Sequence, residues 1–165
     1  MNPRVPIDAV AEVIERARTV GAWTETSRAV LFHDLDRLGS RIDELVGTFP
    51  DDTLHAVAIK ANPLVELLKV VVARGAGLEA ASFEEVTLAL AAGCAPDRIV
   101  YDSPAKTVAE LDRALELGLW INADSPAELR RLAELGAPRA ARVGLRVNPG
   151  VGSGAIAATS TVGRA

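Results

Sequence analysis

The chain has 165 residues, of which 49% are hydrophobic and 24% charged in mixed order, so a folded domain with a substantial core is expected rather than a disordered chain. Its 18 basic and 22 acidic side chains give a formal charge of −4, which leaves no basic footprint for nucleic acid or an anionic membrane. The single cysteine, Cys94, excludes an intrachain disulfide and a Cys-rich metal site.

The opening stretch MNPRVPIDAVAEVIERA lacks the apolar segment of a secretory signal, and no apolar run approaches bilayer-spanning length. A soluble, cytoplasmic protein is therefore expected. Residues 8–20 read as a helix with Val10, Val13, Ile14 and Ala17 on one face and Gly21 at its end. A short strand is expected at 29–33, then a helix from about 34 to 46 on Leu35, Leu38, Ile42 and Leu45, closed by Pro50. From residue 54 the pattern becomes regular. Strands are expected at 54–59, 77–81, 98–101, 119–122 and 141–147, and helices at 62–75, 82–93, 106–118 and 125–136. Ser82 with Glu85, Thr107 with Glu110, and Ser125 with Glu128 have capping-box spacing. Gly75, Gly93, Gly118 and Gly136 close the helices.

Strands recurring every 21 to 23 residues, each followed by a helix, define βα units with parallel strands covered by helices. Both a doubly wound sheet and an eight-stranded barrel accept that pattern. A full barrel takes about 250 residues, so five barrel-type strands would make a partial one. The division expected is an N-terminal extension over 1–50 and an incomplete β/α barrel over 51–165, with the Gly-, Ser-, Thr- and Ala-rich tail from 147 reading either as a loose terminus or as a chain cut within a loop.

Lysine is scarce: Lys60, Lys69 and Lys106 stand against fifteen arginines. Lys60 ends the first regular strand in VAIKANP, where alternation puts Val57 and Ile59 on one face and Ala58 and Lys60 on the other. Facing a barrel lumen at the strand end where barrel active sites form, a desolvated lysine amine suits Schiff-base chemistry. The plain alternative is a strand-end lysine reaching to water. Glu79, in GLEAA, would face the same way from the next strand, either as a partner for a cation near the site or as a strand-edge salt bridge. Arg146, with Gly144, would face inward on the fifth strand, towards a carboxylate, a phosphate or a ring face. His33 and His55 do not form a metal site, and GVGSG at 150–154 lacks the spacing of a phosphate-binding loop.

In combination these segments resemble the pyridoxal-phosphate-binding barrel of the fold-type III, alanine-racemase-like decarboxylases, the family of diaminopimelate, ornithine and arginine decarboxylases. VLFHDLDRLGSRIDEL (30–45) is similar to the family's opening. VAIKANP (57–63) matches its YAVKAN-type segment, and GAGLEAASFEE (75–85) its glycine-rich segment with an acid, a serine and a glutamate. KTVAELDRALELG (106–118), NADSPAELRRL (122–132) and RVNPG (146–150) follow in the family's order. The resemblance implies pyridoxal 5'-phosphate as cofactor, Lys60 as the lysine forming the internal aldimine, and Glu79 and Arg146 as cofactor-binding residues, with no metal. It implies an amino-acid decarboxylase domain in a homodimeric family. The alternatives are an amino-acid racemase or related enzyme of the same fold, a small pyridoxal-phosphate carrier, and a non-catalytic fragment that pairs with a full-length homologue. Val57 and Leu78 stand where the family often has aromatic residues. The family's later segments — its KFG run, its ring-stacking histidine, its glycine-rich phosphate loop and its C-terminal β domain — have no counterpart in the 165 residues, so the expectation is a truncated chain in need of a homologue or the missing segment.

Overall fold

A computed structural model describes residues 6–136 and 141–147. The chain divides into two compact units, one ending at Asp34 and one beginning at Leu35. Expectations for Asn148, for GVGSG at 150–154 and for the tail lie outside the described residues.

In the first unit, helix α1 spans Ile7–Thr19. Its amide at Val20 and that at Gly21 close on carbonyls of Arg16 and Arg18, and Gly21 takes a positive φ of 73°. The Arg18 guanidinium lies 5.6 Å from the centre of the Trp23 ring, which leans on Phe32 at 6.4 Å. Residues 29–33 form no strand, contrary to expectation. An extended segment becomes a strand only where a neighbour completes its ladder, and no described strand pairs with this one.

The second unit opens with α2, Leu35–Thr48. Gly39 of α2 leaves room for the Arg74 guanidinium, where a Cβ would collide with it, and Arg74 pairs with Asp43 one turn further on. Five βα-type strands follow: β1 (Ala56–Ala58), β2 (Gly77–Ala80), β3 (Ile99–Tyr101), β4 (Trp120–Ala123) and β5 (Arg142–Leu145). They form one sheet in the order β1-β2-β3-β4-β5, every pair parallel. Between them run α3 (Val65–Ala73), α4 (Phe83–Ala91), α5 (Val108–Leu117) and α6 (Pro126–Gly136). Strand order that follows chain order, with a helix at each crossover, is the arrangement of a β/α barrel. The fold is thus α/β, a partial (β/α)8 barrel of five strands with an N-terminal helical extension.

The expected two-residue alternation holds. Ile59, Leu78, Ile99, Tyr101 and Ile121 are fully buried beneath the helices, against Leu68, Val86, Leu111 and Ala114. Glu79 and Val100 lie on the opposite face of the sheet and are only partly buried. Gly75, Gly93 and Gly118 have φ between 75° and 82°, the left-handed geometry that ends a helix and turns the chain into the next strand. Gly136 departs from that expectation and is itself the last residue of α6.

The caps differ in detail. Thr107 and Glu110 form a reciprocal capping box. At the starts of α4 and α6 the Ser82 and Ser125 hydroxyls accept the Glu85 and Glu128 amides as expected, but the glutamates reach one residue further back, accepting the amides of Ala81 and Asp124. The β5 expectation also needs correction. Val143, Leu145 and Val147, which alternation sets opposite the inward Gly144 and Arg146 and so on the side of the helices, are exposed, Leu145 to 66%, because no described helix follows β5 to cover them.

Candidate functional site

The C-terminal strand ends gather charge on the face away from the helices. β1 stops at Ala58, and a single 3-10 turn over Ile59–Ala61 carries Lys60. Ile59 is fully buried and fixes that turn, so Lys60 is directed to the opposite side. Its side chain is 64% exposed, and its Nζ lies 3.7 Å from Glu79 Oε2. The desolvated amine expected for Lys60 is therefore corrected: in this chain the amine stands in the open, because the described strands do not close a lumen over it. The parallel register sets Ala58 opposite Glu79, which brings the acid beside the lysine turn.

Glu79 is the more enclosed of the two, with its side chain 15% exposed. Burial pushes its carboxyl above the ordinary value, the Lys60 ammonium draws it down, and the carboxylates of Asp102 and Glu85 push it up again, for a net rise. Its Oε1 is buried without a hydrogen-bond partner among the described residues, as is Asp102 Oδ1.

Arg146 follows β5 and donates its amide to the Ala123 carbonyl at 2.9 Å, which extends the β4–β5 ladder. Its guanidinium lies 3.5 Å from Asp124 Oδ1 and is 42% exposed. The structure therefore brings Lys60 and Glu79 together, and places Arg146 at the other edge of the sheet with an acid of its own. Gly144 beside it is required by a close approach: a Cβ there would collide with the Asn122 carboxamide on the neighbouring strand.

Three residues received no role from the motif reading, although Lys106 and Asp124 lie within its segments. Lys106 is wholly enclosed, with its Nζ donating to Glu128 Oε1 at 2.7 Å and to the carbonyls of Ser103 and Asn122 at 2.6 and 2.8 Å. It also sits 5.5 Å from the centre of the Tyr101 ring. This one ammonium ties the loop after β3 to the end of β4 and the first turn of α6. Asp102 and Asp124 each follow a strand end directly, one βα unit apart. Their equivalent places in the repeat were the signal that could have found them.

The pyridoxal-dependent decarboxylase family, in its pyridoxal-binding domain, matches residues 35–165. The chain belongs to this family. The diaminopimelate decarboxylase of Methanothermobacter thermautotrophicus is 42% identical over 97 residues, covering 59% of this chain and 22% of that protein. That of Vibrio cholerae is 37% identical over 122 residues, covering 71% of this chain and 28% of its own length. Among solved structures, diaminopimelate decarboxylase from Helicobacter pylori complexed with L-lysine superposes with a TM-score of 0.70 at 26% identity, over 77% of this chain and 34% of that one. The chain thus spans about a quarter to a third of the relatives it matches. The family identifies it as a pyridoxal-phosphate-binding module of decarboxylase type, as the order of its motifs implied.

The donor set fits the aldehyde end of pyridoxal phosphate. An accessible primary amine stands at a strand end with a carboxylate beside it, and that carboxylate keeps one buried oxygen uncommitted.

Proposed function

We propose that this chain is the pyridoxal-phosphate-binding portion of an amino-acid decarboxylase of the diaminopimelate, ornithine or arginine kind. The observation that carries the reading is the accessible Lys60 amine within 3.7 Å of Glu79 at the C-terminal end of the first sheet strand, in a chain matched from 35 to 165 by the pyridoxal-binding family. Lys60 would hold the cofactor through its amine, and Glu79 would orient that amine and balance its charge. Arg146, held by Asp124, is suited to an anionic group of the cofactor or substrate. The cofactor supplies an electron sink for the carbanion left by loss of carboxylate. The Lys106–Glu128 clasp would keep the two loops beside the site in register.

The working unit on this reading is the incomplete barrel over 51–165, with 1–50 as its extension. Its substrate is an amino acid, its assembly a homodimer or a pairing with a homologue, and its setting the cytoplasm. Neither nucleic acid nor membrane takes part. Among the described residues no helix is long and apolar enough to cross a membrane.

Carbon dioxide release from diaminopimelate, ornithine, arginine and lysine, with pyridoxal phosphate present, tests the activity. Release from one of them that is lost in Lys60→Ala supports the reading. Equal release from both proteins would set the decarboxylase reading aside.

A further inference from the structure

The β2–β3 ladder runs past Tyr101. The Asp102 amide donates to the Ala80 carbonyl at 2.9 Å, which carries Asp102 one step beyond the strand end. Alternation puts Val100 and Asp102 on the same face as Glu79, opposite the buried Ile99 and Tyr101. Glu79 pairs with Val100 in register, so Asp102 lies two residues further along the adjacent strand. Ordinary strand spacing and rise make that a Cα separation of about 8 Å, a gap that a glutamate and an aspartate side chain reaching towards each other can span.

Each of these carboxyls has one oxygen buried without a partner among the described residues, Glu79 Oε1 and Asp102 Oδ1. An ionised carboxylate only accepts hydrogen bonds, so two charged neighbours cannot satisfy each other, and a buried acceptor left bare is costly. One proton between them turns one carboxyl into a donor and satisfies both oxygens. Glu85, the other acid near Glu79, is already engaged, its Oε2 accepting the Ala81 amide at 2.7 Å.

We propose that Asp102 is a positioning residue of this site, which forms with Glu79 a carboxyl pair that shares one proton and presents a single negative charge to Lys60. The significance of this pair for catalysis rests on the reading of Lys60 as the cofactor lysine. A lysine amine attacks an aldehyde as the free base, and every further negative charge beside it favours the ammonium. Two full charges at the strand ends would work against the amine, whereas one orients it. The groups that face Glu79 are Lys60 from the turn after β1, Asp102 from the end of β3 and Glu85 from α4. Burial and the two acids raise its proton affinity while Lys60 lowers it, and the net direction is upward, as a shared proton requires.

The test is a carboxyl titration of the whole chain carrying 13C-labelled glutamate, with the Glu79 resonance assigned through Glu79→Gln. The expected wild-type curve for that resonance has two steps, as two coupled sites give. In Asp102→Asn it should collapse to one step with its midpoint lower by about one pH unit or more, the coupling that separates two macroscopic steps. Asp102→Glu, which keeps a carboxyl in place, should restore the second step. A one-step wild-type curve whose midpoint does not move in Asp102→Asn would overturn the proposal. Labelling of Lys60 by pyridoxal phosphate is measured on the same preparations. No labelling beside a two-step titration would defeat the cofactor reading alone, and normal labelling beside a one-step titration would defeat the carboxyl pair alone.

Discussion

Lys106 carries a charge that water does not reach, and it is tolerated because three oxygens and a ring face surround it. Removing one member of a buried pair leaves the other charge unanswered, at a cost of about 3–5 kcal/mol. Lys106→Ala should therefore lower the free energy of unfolding by about that amount in urea denaturation at neutral pH. Replacing Lys106 and Glu128 together by apolar residues should recover much of the loss. Tyr101 is the opposite case. Its hydroxyl is buried without a partner among the described residues, and burial with the nearby acids Glu110, Glu84 and Glu128 pushes its ionisation well above the ordinary value. Tyr101→Phe removes an unsatisfied donor and keeps the ring against Phe83, so its denaturation midpoint should rise rather than fall.

Glu79 gives a pH dependence of definite sign. Its carboxyl binds its proton more tightly folded than unfolded, so the native state holds more protons in the range above the ordinary value of 4.5. Stability then falls as pH rises through that range, and the fall should flatten in Glu79→Gln when unfolding is followed from pH 4 to 8. Lys60, Glu79 and Arg146 lie at the strand ends where alternation in the sequence sets them, Lys60 beside Glu79 and Arg146 beside Asp124. The partners of Lys106, Asp102 and Asp124 were not legible, since a lone lysine or an aspartate after a strand acquires its role only from neighbours on other βα units.

At the scale of elements, α4, α5 and α6 were legible to within two residues, because helical period and a Ser or Thr cap agree at each. The boundaries that shifted have local causes. Pro63 and Leu64 sit ahead of α3 rather than within it, and the Leu64 amide turns to the Asn62 side-chain oxygen at 3.3 Å. β1 is three residues long because the chain tightens into the 3-10 turn that presents Lys60. The stretch at 29–33 has strand composition but no ladder partner, and composition alone cannot supply one. The α5 cap is the cleanest local device. Thr107 and Glu110 each answer an amide of the first turn, so Thr107→Ala should cost about 1 kcal/mol in equilibrium denaturation, with Thr107→Ser nearly neutral.

The sheet of the second unit has two open edges among the described residues. Among the described residues β1 and β5 each pair with one neighbour only, and β5 shows Val143 and Leu145 to solvent. Unpaired edges with apolar flanks favour association. The sedimentation coefficient should therefore rise with protein concentration, and Leu145→Lys should reduce that rise. A lumen half enclosed also explains why Lys60 is so accessible, and makes its selectivity the sharpest question about the chain. The most direct measurement is to incubate the protein with pyridoxal phosphate, reduce it with borohydride and map the modified lysines by mass spectrometry, with Lys60→Ala in parallel. Three lysines make the outcome readable. Near-stoichiometric modification of Lys60, with Lys69 and Lys106 untouched and the label lost in the variant, is the predicted result. Weak modification spread over Lys60 and Lys69, unchanged by the substitution at Lys60 except for the missing site itself, would contradict the account.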